Sequence, residues 1–597
     1  MIGEGIRIKD AVSAVLYLFF YTKMKEVVSF SDYATKDVII HLLCRERAKY
    51  AVKNSGKTGP VEDRLYKDIA AMMPPRNKWI NPPKNFRTKK GRGISAWTYP
   101  RKIAFDRVHG TVKKLRRQGC SDEWSKNLDA FIGRIRGLVD GTQSFEMESP
   151  RVTPMFKKKN DRGELIFRPL CSYSSLETKI MLALTYRYFL DQLDDCFHAN
   201  MLFMRTARNI DDAYHTPNYK DAIRMAAEYR RRHDKDLIFV GECDIQKFYD
   251  ILNHDDVLKC FDRIFAEKAS RAGVDPTIFE PARNILEAYL NSYSYVKDVY
   301  ALNDCPEHWK AEKLKYVAAE RSRHAHSKKG KRVTPAGLVC RYDWVSDADF
   351  VQSGGYTTES LAEAKAGGKL GVPQGGALSG IIVNVVMQCI DDDIVRPEDP
   401  ERFFVRYCDD ILLMHTDRNK CKYYLDTYIK NLQAHKLVPH NAKDVAGELK
   451  NGVRTKAEFW KAKSKTVFKW GNGGGDASDW IAFVGYEMRR TGEIRVRKDK
   501  ITEQFRHIAR AYHQLRTAGE GKEEMALERF EKLPEKILDY EMMTLEPGRN
   551  RYALAQARRL DKYLVRKLKK AARQRSLSLS KPLAKYTYAI KHSSEYK

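Results

Sequence analysis

No two of the eleven cysteines in this 597-residue chain stand in a Cys-x-x-Cys spacing, and their number is odd. Neither a disulfide framework nor a zinc ribbon is therefore indicated, and the thiols read as ordinary reduced side chains. Cys305 and His308 with His324 and His326 have some metal-ligand character, but they follow no zinc spacing and read as a polar surface. Also missing is any apolar run near the ~20 residues that a membrane span needs. The best stretch, AVSAVLYLFFY at residues 11 to 21, is too short and has no small-residue cleavage site after it, so it predicts a buried amphipathic helix. No internal repeat is visible. These absences lead to the expectation of a cytoplasmic protein with no membrane partner.

Acidic residues are outnumbered, 78 against 108 Lys and Arg, which leaves a net charge of +30. Such an excess predicts a polyanionic partner, because neutralising phosphates releases their counterions. The basic residues gather at 84 to 117, 327 to 332 and 557 to 575. In the first cluster they alternate with Trp97, Tyr99 and Phe105, which suit stacking on unpaired bases. Lys89, Lys90, Arg92, Lys113, Lys114, Arg116 and Arg117 are the candidate phosphate contacts.

A hydrophobic content of 43% is enough for a globular core. Residues 1 to 145 read as a basic helical extension. From about 146 to 500 strands, turns and helices mix, interrupted by a polar, charged and irregular insertion at about 265 to 365. Residues 501 to 597 read as a helical, basic terminal region. MFKKKNDRGELIFRPL (155 to 170) predicts a hairpin, SLETKIMLALTYRYFLDQL an amphipathic helix, and DLIFVGECDIQKFYD (236 to 250) a buried strand ending in a carboxylate.

The most informative stretch is FFVRYCDDILLMH, residues 403 to 415. Its apolar and β-branched runs predict two strands, with Asp409 and Asp410 at the tip between them. An Asp pair in a turn is commonly only solvated. Asp244, at the end of another buried strand, changes that reading. Carboxylates converging from strand ends supply a clamp for two divalent ions, and oxygen-only ligation favours Mg²⁺ or Mn²⁺.

The order of a basic hairpin with RPL, then CDIQKFYD, GVPQGGALSGIIVN, YCDD and FVGY resembles the reverse transcriptases of bacteria, over residues of about 150 to 500. That group includes group II intron enzymes, retron enzymes and abortive-infection or other defence enzymes. The resemblance implies an α+β right-hand polymerase, with fingers, a palm carrying an antiparallel sheet, and a thumb-like C-terminal region. It implies RNA-directed addition of dNTPs with two Mg²⁺ ions, so RNA, DNA product and dNTPs are the expected partners. Asp244 and Asp409 match the bridging metal ligands, Asp410 the third carboxylate, and Ile245 a carbonyl ligand. Tyr249 matches the side chain that crowds the ribose 2′ position. Gln374 and Gly375 match the contacts to the incoming nucleotide, Arg168 and one of Lys157, Lys158 and Lys159 the triphosphate grip, and Lys443 the general acid.

Several departures point toward the defence-associated branch. No His-rich or Cys-rich nuclease region follows the polymerase motifs, the retron Val-Thr-Gly signature has no clear match, and Gly380 stands where intron enzymes usually carry proline. That branch implies a structured non-coding RNA, and a second copy or a second defence protein as a further partner. It also raises priming on a protein hydroxyl, for which Tyr586, Tyr588 and Tyr596 are candidates. The alternatives are a catalytically vestigial RNA-binding scaffold and a mobile group II intron-type enzyme.

Overall fold

The computed structural model describes residues 26–53, 64–81, 100–210, 213–324, 334–446, 448–450, 453–455, 457–472 and 475–497, with isolated helical positions between 502 and 573. The stretch at 11 to 21, Lys89, Lys90, Arg92 and the three C-terminal tyrosines lie outside the described residues. Among the described residues no helix is long and apolar enough to cross a membrane.

The longest helices before the first strand among the described residues are α1 (Lys36–Lys53), α2 (Pro100–Arg117) and α3 (Glu123–Val139). They share one core with the helices and strands C-terminal to them, through Ile39, Leu43, Val108, Val112, Leu128 and Ile132. A hairpin comes next, β1 (Arg151–Lys159) paired antiparallel with β2 (Leu165–Ser172), then α4 (Leu176–Leu193) and α5 (Tyr219–Arg232). Strand β3 (Phe239–Glu242) runs into the turn that carries Asp244 and Tyr249, and that turn feeds α6 (His254–Ala272).

The stretch expected to be irregular, 265 to 365, is largely helical and packed. It holds α7 (Glu280–Asn291), α8 (Pro306–His324) and β4 (Cys340–Tyr342), and β4 adds to β2 in parallel. Aromatic residues spaced among the charges supply its core, with Tyr289, Tyr293, Tyr295, Trp309 and Tyr342 all buried. His308 Nε2 lies 2.9 Å from the Tyr342 hydroxyl, which is a packing role for this former metal candidate.

Helix α9 (Ser379–Val395) is the centre of the molecule. Every residue from Ser379 to Asp392 is buried, as expected for a helix apolar on all sides. It delivers the chain to the hairpin β5 (Phe403–Tyr407) and β6 (Asp410–His415), then α10 (Arg418–Ala434), the short β7 (Ala442–Lys443), and β8 (Ser464–Trp470). A two-residue strand β9 (Ala477–Ser478) completes the central sheet, in the order β9-β8-β3-β6-β5 with β7 also on β8. β3 is antiparallel to both β6 and β8, so its end is brought beside the β5–β6 tip. Three further strands, β10 (Trp480–Phe483), β11 (Tyr486–Arg489) and β12 (Ile494–Val496), form a separate antiparallel sheet.

Candidate active site

Antiparallel pairing of β3 with β6 gathers the carboxylates at one end of the central sheet. Asp244 sits two residues past β3; its backbone N–H donates to Ser464 Oγ at 3.0 Å, and its carbonyl accepts from His440 N–H at 2.8 Å. Gln246 N–H donates to the Val438 carbonyl at 2.8 Å, so the bridge between Ile245 and Pro439 leaves the Ile245 carbonyl outside the pairing. Tyr249 is half-buried, and its hydroxyl lies 3.6 Å from Cys408 Sγ, the residue before the Asp pair.

Between β5 and β6 the turn is strained. Cys408 has φ of 61°, a left-handed conformation that non-glycine residues adopt at a cost. It is held by Arg406, which lies fully buried in an otherwise apolar strand. Arg406 Nη1 donates to the Cys408 carbonyl at 2.9 Å, and its Nε donates to Asp391 Oδ2 on α9 at 2.6 Å. The turn that displays Asp409 and Asp410 is thus anchored to the central helix.

Negative charge gathers at this end of the sheet, with Lys463 offsetting part of it. Burial, and then the neighbouring Asp244, raises the Asp409 carboxyl above the usual range. Burial, Asp409 and Asp244 together push Asp410 up to about 7, although its side chain still meets solvent in the cleft. Carboxylates that oppose one another's ionisation fit a divalent cation, whose charge would relieve the repulsion. Their oxygens do not all lie within 4.8 Å of one another here; among the described residues a trio that does so occurs elsewhere. Lys463 instead provides a cation: its Nζ donates to Asp244 Oδ2 at 3.0 Å.

Lys463 was not among the residues expected from the sequence. Lys443, the expected general acid, lies exposed on β7, in register with Lys465, two residues beyond Lys463. The structure thus brings Lys463, not Lys443, onto Asp244. A cleft of about 900 Å³ opens here, with Arg168, Asp244, Asp410, Tyr407 and Lys463 in its walls.

From the hairpin, β2 contributes Arg168, and a register shift between Phe156 and Lys158 sets Lys157 apart from its neighbours. Lys157 is exposed, yet desolvation by the protein around its ammonium, with the nearby charges of Lys247, Arg168 and Lys158, pushes it down to about 8. Lys158 and Lys159 stay exposed and in register opposite Ile166 and Leu165.

The Gln374 side chain is tied down within the protein: its Nε2 donates to Asp250 Oδ1 at 2.6 Å. Asp250 is buried, and burial holds its carboxyl up at about 6 despite that bond. The Gln374 carbonyl accepts from Cys171 N–H at 2.9 Å, which ties this loop to the hairpin. Gly375 has φ of 81°, a conformation that favours glycine, and an added Cβ would meet only Leu170 Cδ2 at 3.7 Å. Backbone is therefore open to the cleft side at that point.

Of the basic candidates, Lys113, Arg116 and Arg117 on α2 line a separate cleft of about 640 Å³ with Arg187, His41 and His109. Burial pulls His41 down to about 4, so it adds no charge near neutrality. Lys114 is exposed beside this cleft rather than in its wall.

Architecturally this is a mixed helix-and-sheet protein, compatible with a right-hand polymerase, with a carboxylate-lined cleft at the end of an antiparallel sheet. Residues 350–486 match the family described as reverse transcriptase (RNA-dependent DNA polymerase). The match supports RNA-directed DNA polymerase activity, a nucleotidyl transfer. It takes in Gln374, Asp409, Asp410, Lys443 and Lys463, while Asp244, Tyr249 and Arg168 precede it. No curated protein matches the sequence. Among solved structures, apo telomerase from Candida tropicalis aligns over 97% of this chain and 84% of that one, with 11% identity and a TM-score of 0.33. A likeness that slight carries no argument about function.

Proposed function

We propose that the cleft at Asp244, Asp409 and Asp410 is the catalytic centre of a reverse transcriptase that adds dNTPs to a DNA end on an RNA template. The supporting observation is the mutual crowding of three carboxylates at adjoining strand ends, two of them inside the segment that matches the polymerase family. Two Mg²⁺ ions, or Mn²⁺, held by these carboxylates and the Ile245 carbonyl, would activate the attacking 3′ oxygen and neutralise the leaving pyrophosphate.

The chain's own groups then have defined tasks. Arg168 in the cleft wall, with Lys157 near enough to feel its charge, would serve as cations for the triphosphate, the guanidinium offering a planar fork to phosphate oxygens. Lys463 Nζ carries the proton nearest the carboxylates and is the favoured acid for the departing pyrophosphate, with Lys443 on the adjoining strand as the alternative. Tyr249 abuts the Asp409 turn, where a ring can crowd a ribose 2′ oxygen. Asp250 is buried under Gln374, so it is poorly placed to read a 2′ hydroxyl, which favours deoxynucleotides.

Partners follow from charge: RNA, a structured non-coding RNA in particular, would lie along the basic surface that includes α2, with the N-terminal 145 residues as an accessory region. A role in anti-phage defence rests on the departures from intron enzymes. At Gly380 an added Cβ would fall 1.8 Å from Sδ of the exposed Met204, so the proline usual in those enzymes would require that side chain to move. Primer extension on an RNA template with Mg²⁺ tests the core of the proposal. Asp409→Asn and Asp244→Asn should each abolish synthesis while leaving the unfolding transition and RNA binding near wild type. Normal extension by either variant refutes it.

A further inference from the structure

Behind the central sheet, three helices meet at a group of donor atoms that the cleft does not use. Asp256 and Cys260 stand one turn apart on α6, Cys389 lies on α9, and His435 caps the C-terminus of α10. His435 Nδ1 is 3.0 Å from Asp256 Oδ2 and 3.7 Å from Cys260 Sγ. The donor atoms of these three all lie within 4.8 Å of one another, the only such trio among the described residues. Cys389 lies outside that trio, but its thiol is close enough to interact with the Cys260 thiol. Both cysteines are buried, whereas Asp256 and His435 are half-buried and leave one side open for an ion to enter.

We propose that Asp256, Cys260, Cys389 and His435 form a structural Zn²⁺ site that pins α6, α9 and α10 together. Four donors of type S, S, N and O are what a closed tetrahedral zinc site takes. Zinc bonds of about 2.0 to 2.3 Å put tetrahedral ligands roughly 3.3 to 3.8 Å apart. The separations around His435 Nδ1 are already close to that range, and the Cys389 side chain, outside the 4.8 Å trio, would turn in to complete the set. Thiolate and imidazole donors select zinc over Mg²⁺, which separates this site from the cleft.

Two thiolates and a carboxylate bring three negative charges to a divalent ion. Arg263, which pairs with Asp392, lies close enough to influence both thiols. Of the pair, Cys389 ionises more readily, because its thiolate accepts a hydrogen bond from Cys260. Binding would expel both thiol protons and the Nδ1 proton, leaving His435 protonated at Nε2. The donors come from separate elements, Asp256 and His435 being 179 positions apart, and this explains why no zinc spacing shows in the sequence.

The test is metal analysis of full-length protein, expressed with zinc present and desalted. The expected result is about one zinc per chain, released by a thiol-blocking mercurial. Co²⁺ in place of zinc should give a thiolate-to-cobalt absorption band. Cys260→Ser with Cys389→Ser should lose both signals, whereas Asp409→Asn and Cys305→Ser should keep them. Wild-type protein with neither zinc nor a cobalt band overturns the proposal, whatever the variants do. Undiminished zinc in the double variant overturns it as well.

Discussion

Replacing Arg406 probes both the fold and the candidate site, because one buried guanidinium serves each. Its Nε bond to Asp391 is the main compensation for a carboxylate that is almost fully enclosed, with Asp391 Oδ1 having no partner. Burial already raises the Asp391 pKa, and the Arg406 charge opposes that rise. In Arg406→Leu the carboxylate would be left without its pair, and breaking a buried pair from one side costs about 3 to 5 kcal/mol. Replacing both partners with apolar residues removes the orphaned charge, so Arg406→Leu with Asp391→Leu should recover most of that loss. Arg406→Lys keeps a charge for Asp391 but gives up the planar reach to the Cys408 carbonyl, the bond that holds the strained turn. Its stability cost should be smaller, about 1.5 to 3 kcal/mol, the worth of a hydrogen bond from a charged donor. DNA synthesis should fall further than stability does, since Asp409 and Asp410 ride on that turn. Urea unfolding followed by circular dichroism gives the first quantity and primer extension the second. A loss below about 1 kcal/mol in Arg406→Leu refutes the account of the pair. Full activity in Arg406→Lys refutes the account of the turn.

If Tyr249 crowds the 2′ position, Tyr249→Val should raise ribonucleotide use relative to deoxynucleotide by an order of magnitude or more, about 1.4 kcal/mol per tenfold, in a competition assay. An unchanged ratio places the selectivity elsewhere. Activity should also rise with pH as Asp410 loses its proton near 7, and the nucleotide KM should rise as Lys157 loses its charge above about 8. Because a bound cation competes with the Asp410 proton, more Mg²⁺ should move the acid limb to lower pH, and an immobile limb contradicts that linkage. Neutralising Lys113, Lys114, Arg116 and Arg117 together should weaken RNA binding and flatten its salt dependence, by a slope of about 0.7 to 0.9 for each phosphate no longer neutralised. An unaltered slope would assign these charges to solvent.

The strand-turn-strand unit at 403 to 415 was legible because local patterns determine it: two continuously buried apolar runs, a short tip and two carboxylates. Asp244 was legible for the same reason, as the first charge after a buried strand. The contacts that organise the site were less so, because they join side chains remote in sequence. Lys463 meets Asp244 across 219 positions, and only the pairing of β8 with both β3 and β7 decides which of several nearby lysines arrives there. Similarly, Arg406 announces itself as a lone charge in an apolar strand, but its partner is one of three consecutive aspartates. Helix phase separates them: Asp391 turns inward to Arg406, Asp392 toward His198 and Arg263, and Asp393 toward Asn431.

Composition misled most at residues 265 to 365, where charge hides an aromatic core. Tyr295 N–H donates to the Leu370 carbonyl at 2.8 Å, and the Tyr289 hydroxyl lies 3.0 Å from Ser379 Oγ at the start of α9. A segment that looks peripheral in sequence therefore braces the loop that carries Gln374 and Gly375. The consequence is mechanical. Lys157 and Arg168 sit on a hairpin joined to that loop through Cys171 and to the segment through β4, so the cations and the loop proposed to hold the nucleotide are positioned by one packed body. Asp409 and Asp410 are positioned by another contact set, through Arg406 and α9. The two sets meet at Tyr249, whose carbonyl accepts from Val372 N–H at 2.7 Å and whose hydroxyl faces Cys408. A side chain at that junction is placed to make the fit of the sugar depend on both the loop and the carboxylate turn.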